Sequence, residues 1–223
     1  MTQYGMVIDL SRCVRCGSCM ISCKAEHSLP QGIYWTRVLR KESGKYPLVE
    51  ESVMPILCNH CQDAACVKVC PSGATTKQDN GLVVVEADKC IGCRYCMMAC
   101  PYGARFYHNE LLPYYPDRGF TLQEELSQSD LQRGVVIKCT FCRERIQAGT
   151  EKGLRPGVDR EATPTCVNNC IGKARYFGDL DDPNTEVSQL ARSPRAFRLL
   201  EELGTKPKVI YLAEGERSAT TTG

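Results

Sequence analysis

The sequence predicts an α+β fold built from a repeated strand–loop–helix unit, and three observations predict it. All sixteen cysteines of the 223-residue chain fall into four sets of four. Two short apolar runs, residues 4–10 and 81–87, each lead directly into a cysteine loop and a short helical stretch, so the chain carries an internal repeat and its metal sites should come in pseudo-twofold pairs. Leu, Ile, Val and Phe are sparse for a conventional core. Bound metal must replace part of that core, because binding at a site that the unfolded chain lacks is folding free energy. The metal-free chain is therefore expected to be largely disordered.

The cysteine spacing specifies the metal. Cys13, Cys16, Cys19 and Cys23 form a C-x2-C-x2-C-x3-C run, and Cys90, Cys93, Cys96 and Cys100 repeat it. Cys58, Cys61, Cys66 and Cys70 form C-x2-C-x4-C-x3-C, and the fourth set is split into Cys139/Cys142 and Cys166/Cys170. A cubane cluster needs four thiolates converging on one small volume, and a tight C-x2-C-x2-C loop supplies three. In two-cluster bacterial ferredoxins the cysteine after the x3 gap ligates the other cluster. Proline follows Cys70 and Cys100 as in that run, whereas Lys24 and Ile171 follow Cys23 and Cys170. Four sets of four imply four 4Fe–4S clusters, and the third set keeps Cys90, Cys93 and Cys96, which favours four irons there too. Zinc accounts for isolated C-x2-C pairs but not for triplets. Disulfides fit poorly between cysteines so close in sequence.

The elements follow in order. Residues 4–10 read as a strand entering the first loop. Residues 33–41 and 48–56 read as a hairpin turning at Gly44 and Pro47, which connects the two halves. Residues 81–87 are the strand before the third set. Residues 107–132 are rich in tyrosine and proline, then acidic, and lack cysteine, so they read as an insertion that packs on a partner or forms a local lobe. Residues 135–138 are a strand feeding the fourth set, and 148–164, with Gly149, Gly153, Pro156, Gly157 and Pro164, a loop. Residues 186–203 carry a helical apolar pattern, interrupted near Pro194 and stopped by Gly204. Residues 209–212 read as a last strand, and the polar tail 214–223 as a segment ordered against a partner.

Composition bounds the partners. The formal charge is +2, but a 4Fe–4S cube on four thiolates carries a net −2, so four of them bring the chain to about −6. With no basic, aromatic-interleaved stripe, nucleic acid is excluded as a partner. No 18-residue apolar run exists, so no membrane span is expected. Residues 1–10 lack a basic region followed by an apolar one, so no secretory signal is expected either, although a folded subunit can be exported by a partner's signal.

No catalytic constellation is visible, so the chain is expected to have no catalytic site of its own. His60, between Cys58 and Cys61, is expected to play a structural role beside a cluster, while His27 and His108 stand alone. Arg15, Arg94 and Tyr95 lie inside cluster loops, where a cation would raise a potential, but the plainer expectation is that they face solvent or a partner. Asp179, Asp181 and Asp182 are expected to form a turn and interface element.

In this order and with the last set split, the four sets resemble the four-cluster iron–sulfur subunit of the dimethyl sulfoxide reductase family of molybdopterin oxidoreductases, the group that includes polysulfide, arsenate and nitrate reductases. The resemblance covers nearly the whole chain, from Met6-Val-Ile-Asp-Leu-Ser-Arg-Cys13 through Cys58-Asn-His-Cys61, Cys100-Pro-Tyr-Gly103 and Lys138-Cys-Thr-Phe-Cys142 to Gly178-Asp-Leu-Asp-Asp-Pro183. It implies that sets one and four pair, and that sets two and three pair. Cluster 1 would then take Cys13, Cys16, Cys19 and Cys170; cluster 2, Cys23, Cys139, Cys142 and Cys166; cluster 3, Cys58, Cys61, Cys66 and Cys100; and cluster 4, Cys70, Cys90, Cys93 and Cys96.

The implied architecture is two pseudo-twofold-related bacterial-ferredoxin-like domains, one nested in the other. Residues 1–32 and 133–180 form the outer domain and 50–106 the inner one, with a hairpin connection at 33–49, the insertion at 107–132 and a partner-contacting helix/strand extension at 181–223. The implied function is electron transfer along one wire. The pair of sets one and four faces a large catalytic subunit holding a molybdenum or tungsten bis-pterin cofactor, and the other pair faces a membrane-anchor, quinol-interacting subunit, a cytochrome or an external carrier. The alternative is a stand-alone polyferredoxin or a hydrogenase- or formate-type wiring subunit. The expected location is the periplasmic face of the membrane, reached with the partner; the alternative is the cytoplasm.

Overall fold

The computed structural model describes residues 2–128 and 131–214. β1 (Tyr4–Asp9) enters the first cysteine loop, and α1 (Ser18–Glu26) carries Cys19 and Cys23 out of it. β2 (Arg37–Lys45) and β3 (Leu48–Ile56) form a long hairpin. α2 (Ala65–Lys68), β4 (Thr75–Lys77), β5 (Val83–Val85) and α3 (Tyr95–Met98) accompany the second and third sets. β6 (Phe106–His108), α4 (Leu122–Gln128) and β7 (Val135–Ile137) follow, then α5 (Arg143–Glu151) and α6 (Thr165–Asn168) around the fourth set. β8 (Arg175–Asp179), α7 (Glu186–Ala191), β9 (Ala196–Phe197) and β10 (Val209–Leu212) follow among the described residues.

The largest sheet has the order β8-β1-β10-β9. All six residues of β1 are buried, because this strand is central and covered on both faces, which is why it reads as an unbroken apolar run rather than an alternating one. It pairs antiparallel with β8, where Met6 faces Phe177, and parallel with β10, where Ile8 faces Tyr211. Met6 and Ile8 belong to the main core, which also holds Cys23, Cys58, Cys139 and Cys166. Val7, on the other face, packs with Val187 of α7, Ile210 and Leu212 in a smaller core. The scarcity of aliphatic residues is thus met by cysteines inside the core itself.

Among the described residues there are also three two-stranded ladders, β2-β3, β4-β5 and β6-β7. β6 and β7 close the base of the insertion, Phe106 opposite Ile137 and His108 opposite Val135. The insertion folds back on its own chain: Tyr114 donates its hydroxyl to the Leu29 carbonyl at 3.2 Å. Lys24 Nζ lies 4.3 Å from the Tyr34 ring centroid and 5.2 Å from that of Tyr114.

Several elements differ from the sequence expectation. The hairpin's first strand spans Arg37–Lys45 rather than 33–41, so Gly44 lies within it and not in the turn, while the second spans Leu48–Ile56 as expected. Residues 148–151 are the last turn of α5 and not loop, because Gly149 packs against Ala162 where a larger side chain would clash. The apolar pattern of 186–203 is helical only to Ala191. Past Pro194 the chain forms β9, on the edge of the sheet beside β10, and a single 3-10 turn at Glu201–Leu203, since Phe197 is used to stack on Tyr211 at 5.7 Å. The tail from 215 onward lies outside the described residues, as do 129 and 130 of the insertion. Among the described residues no helix is long and apolar enough to cross a membrane.

Candidate iron–sulfur cluster sites

Each of the four sets opens with a C-x2-C pair, and in all four the residue before the second cysteine is left-handed: Arg15 (φ 63), His60 (φ 42), Gly92 (φ 67) and Phe141 (φ 57). That conformation reverses the chain within one residue and lets both cysteines of a pair turn to the same side. Three of the four are not glycine, so each carries a strain of about 1–2 kcal/mol that its surroundings must hold. Arg15 is held by Glu51, its Nη1 donating to Oε2 at 2.9 Å. His60 and Phe141 hold each other, stacked at 3.9 Å. The next cysteine of each set lies on a short helix, α1, α2 and α3 soon after the pair and α6 in the fourth set only after α5 and a loop.

The cysteines gather across sets. Cys13, Cys16, Cys19 and Cys170 line a single cavity with Ile8, Val38, Pro55 and Arg175. Burial pushes the Cys23 thiol up to about 12, with Cys166 the next contributor. The Cys142 thiol is raised by burial, then by Cys166 and Cys23, and that of Cys139 by burial, then by Cys23, Cys58 and Cys166. Burial pushes Cys61 up to about 12, with Cys58, Cys66 and Cys100 adding to it. Cys96 is raised by burial, against Arg105, with Cys70 and Cys90 as its thiol neighbours. All sixteen cysteines are free of disulfides.

Two further observations test the fit of a cluster to these groups. Backbone amides donate to sulfur: Ala174 N to Cys170 Sγ at 3.2 Å, Thr75 N to Cys70 Sγ at 3.4 Å and Phe141 N to Cys139 Sγ at 3.5 Å. Buried donors beside the thiols lack any partner among the described residues: Arg105 Nε and Nη2, Arg175 Nη2 and Thr140 Oγ1. Buried thiols that oppose one another's ionisation, ringed by orphaned N–H and O–H donors, fit an anionic sulfide-rich group, which ligates through thiolate and accepts hydrogen bonds at sulfur. Among the described residues no three His, Cys, Asp or Glu side chains are arranged to hold a single metal ion; the ligands of a cube bind four separate irons and stand apart.

His60 has the structural role expected of it. It is 1 % exposed, its Nδ1 accepts from Val83 N at 3.0 Å, and its Nε2 lies 3.0 Å from the Cys139 carbonyl, to which it donates. Burial, then Lys138, hold its pKa well below the usual histidine value, so the ring is neutral. His27 is not the bystander that the sequence suggested: its Nε2 lies 3.2 Å from Cys142 Sγ, and its ring packs on Trp35 at 4.6 Å. His108 is buried at the foot of the insertion with no partner for either ring nitrogen among the described residues. Asp179 and Asp182 are turn formers, accepting backbone amides of Gln3, Asp181 and Asn184.

The loop arginines do not simply face outward. Arg15 ties the first loop to the hairpin through Glu51, and Arg94 lies over the Tyr107 ring at 3.8 Å; Tyr95 is exposed. The cations buried among thiols include, alongside Lys138 beside Cys139, Arg105 and Arg175, which sequence reading missed. Their signal was present: each is the fifth residue after the last cysteine of a set, preceded by alanine, in Gly103-Ala104-Arg105 and Lys173-Ala174-Arg175.

Comparison with known proteins agrees with this chemistry. The 4Fe-4S dicluster domain family matches residues 49–113. The chain is 42% identical to a putative dimethyl sulfoxide reductase iron-sulfur subunit of Halobacterium salinarum, covering 98% of this chain and 81% of that one. It is 41% identical to a selenate reductase subunit of Mesobacillus selenatarsenatis, over 94% of this chain and 72% of that one. It is 37% identical to the arsenate respiratory reductase iron-sulfur subunit of a Shewanella species, over 94% and 96%.

Proposed function

The chain belongs to the iron–sulfur subunits of molybdopterin oxidoreductase complexes, and from that premise we propose that it wires a catalytic subunit holding a molybdenum or tungsten bis-pterin cofactor to a second redox partner through four 4Fe–4S clusters. The ligands are Cys13, Cys16, Cys19 and Cys170 for cluster 1 and Cys23, Cys139, Cys142 and Cys166 for cluster 2. Cluster 3 takes Cys58, Cys61, Cys66 and Cys100, and cluster 4 takes Cys70, Cys90, Cys93 and Cys96. When bound, each cube takes up or releases one electron at a time, which divides a two-electron reaction at the catalytic metal into single steps.

One observation carries this reading: the thiols form a continuous series of neighbours. Cys19 feels Cys166, Cys139 feels both Cys166 and Cys58, and Arg105 feels Cys58, Cys66 and Cys96. All four cysteines assigned to cluster 2 are buried, cluster 3 has Cys58 buried and the other three intermediate, and the two exposed cysteines, Cys16 and Cys93, belong to clusters 1 and 4 at the ends of the series. The nested two-domain architecture is supported by β1 pairing with β8, which joins the strand before set one to the strand after set four.

The catalytic subunit docks at the cluster 1 end in this proposal. A membrane-anchor, quinol-interacting subunit, a cytochrome or a soluble carrier meets the cluster 4 end, where Ile91, Tyr95 and Met98 are exposed. The insertion adds exposed Leu112, Tyr115 and Leu122 as partner surface. The complex works at the periplasmic face, exported on its partner's signal; a catalytic partner without a twin-arginine leader would move it to the cytoplasm.

The test is metal analysis of the natively purified, oxygen-protected complex. About sixteen iron and sixteen sulfide per chain, as four cubes require, with about one molybdenum or tungsten on a co-purifying large chain, is the expected result. The same iron without the heavy metal would favour a stand-alone polyferredoxin or a hydrogenase-type wiring subunit. Zinc without sulfide would sink both.

A further inference from the structure

Arg105 and Arg175 are 3 % and 4 % exposed, and among the described residues neither pairs with a carboxylate. Burying a cation without an anion costs several kcal/mol, so both positions call for negative charge from something else. Neutral thiols cannot supply it, but the same cysteines ligated as thiolates around a sulfide-rich cluster would: Cys66, Cys58 and Cys96 neighbour Arg105, and Cys166 and Cys19 neighbour Arg175. Arg175 also borders the cavity of Cys13, Cys16, Cys19 and Cys170.

The side chains are anchored at one nitrogen and leave others unmatched. Arg105 Nη1 donates to Thr75 Oγ1 at 3.2 Å, and Arg175 Nη1 to Met6 Sδ at 3.8 Å. Arg105 Nε and Nη2 and Arg175 Nη2 are buried with no partner among the described residues. The two arginines occupy matching places in the repeat. After sets one and two, whose last cysteines are Cys23 and Cys70, the same place holds Ser28 and Thr75. The sequence therefore provides one arginine for each pair of sites.

We propose that Arg105 and Arg175 are a matched pair of potential-setting residues, each guanidinium lying between the two cluster sites of one pair and raising the potentials of both. The inference rests on the ligand sets proposed above: Arg105 then stands between clusters 3 and 4, and Arg175 between clusters 1 and 2. Reduction adds one negative charge to a site, and a fixed cation beside it stabilises the reduced form more than the oxidised one. A guanidinium stays protonated throughout, so this group itself neither takes up nor releases a proton when a site is reduced. Because one cation serves two sites, it raises them together and keeps the step within the pair small. These are positioning residues for electron transfer and not ligands.

The test is an EPR-monitored redox titration of the intact purified complex carrying Arg105→Met, Arg175→Met or the corresponding lysine variants, with iron and sulfide counted on each sample. Arg105→Met is expected to lower two of the four potentials, each by about tenfold in the oxidised-to-reduced ratio, about 59 mV for one electron. Arg175→Met is expected to lower the other two, and the lysine variants to keep most of the wild-type values. Unchanged potentials in methionine variants that retain their iron would overturn the proposal, as would equal shifts at all four sites or lysine variants shifted as far as methionine. If a methionine variant loses iron, glutamine at the same position keeps a polar amide without the charge, and the same pairwise shift is required of it. A wild-type complex that lacks about sixteen irons overturns the four-site reading instead, before any variant is made.

Discussion

His60 Nε2 donates to the carbonyl of Cys139 at 3.0 Å and so fastens the second cysteine loop to the fourth. Its other nitrogen accepts from Val83 N, and its ring lies flat on Phe141. One neutral ring thus joins three segments where the thiols of Cys58 and Cys139 become neighbours. His60→Phe keeps the stacked ring and removes both hydrogen bonds, leaving the Val83 N–H and the Cys139 carbonyl buried and unpaired. At about 1–3 kcal/mol for each orphaned group, the expected loss is about 2–4 kcal/mol in denaturant unfolding of the holo protein. A loss under about 0.5 kcal/mol, the level of an unremarkable surface substitution, would show that the pin is idle.

His60 also marks how far the sequence could be read. The cysteine spacing made the metal chemistry plain, because three thiolates from one tight loop have few other uses. The strands at 4–10, 48–56, 135–138 and 209–212 were legible because their apolar runs are short and bounded. What escaped was decided by contacts remote in sequence. Phe197 looks helical beside Leu199 and Leu200, but Tyr211 draws it into a strand. His27 looks solitary until the fold brings Cys142 to it. Arg105 and Arg175 look like ordinary surface cations, and only the closing of the core over them turns them into buried charges.

Asp9 links the first strand to the far end of the chain. Its carboxylate accepts from Ser11 N at 3.0 Å and from Ser11 Oγ at 2.6 Å, forming the turn that delivers Cys13, and it pairs with Arg195 Nη2 at 3.1 Å. Burial opposes its charge, but Ser11 and Arg195 together hold its pKa below the usual carboxylate value. Its folded pKa is depressed, so its stabilising contribution is full above about pH 3.9 and is lost as pH falls through the lower folded value. Asp9→Asn should cost about 1–3 kcal/mol at neutral pH through the weakened charge-assisted bonds. Parallel unfolding curves of wild type and Asp9→Asn down to pH 3 check this, with the gap between them closing in acid.

Cys93 is exposed and is proposed to serve cluster 4 alone. Cys93→Ser should therefore remove or convert about one quarter of the cluster content, one cube of four, and leave the remaining signals at their wild-type potentials. Iron analysis and EPR of the variant decide the matter. Simultaneous loss of all four signals would contradict the assignment of Cys93 to a single site.

Lys208 gives a pH dependence of opposite origin to that of Asp9. Its side chain is buried, with Nζ donating to Gln3 Oε1 at 2.5 Å and to the Gly81 carbonyl at 3.3 Å, and no carboxylate forms an ion pair with it among the described residues. Burial, reinforced by Lys77, brings its pKa down to about 8, whereas in the unfolded chain a lysine titrates near 10.4. Below pH 8 the ammonium is protonated in both states and its burial weakens the fold. Between about 8 and 10.4 the unfolded state binds more protons, so stability rises with pH across that window. Lys208→Met abolishes this term and leaves the other titrating groups in place. The difference between the wild-type and Lys208→Met unfolding free energies, followed anaerobically from pH 7.5 to about pH 10, should move in favour of the wild type as pH rises. A difference that stays flat would mean that the ammonium is as well solvated in the folded protein as in the unfolded chain.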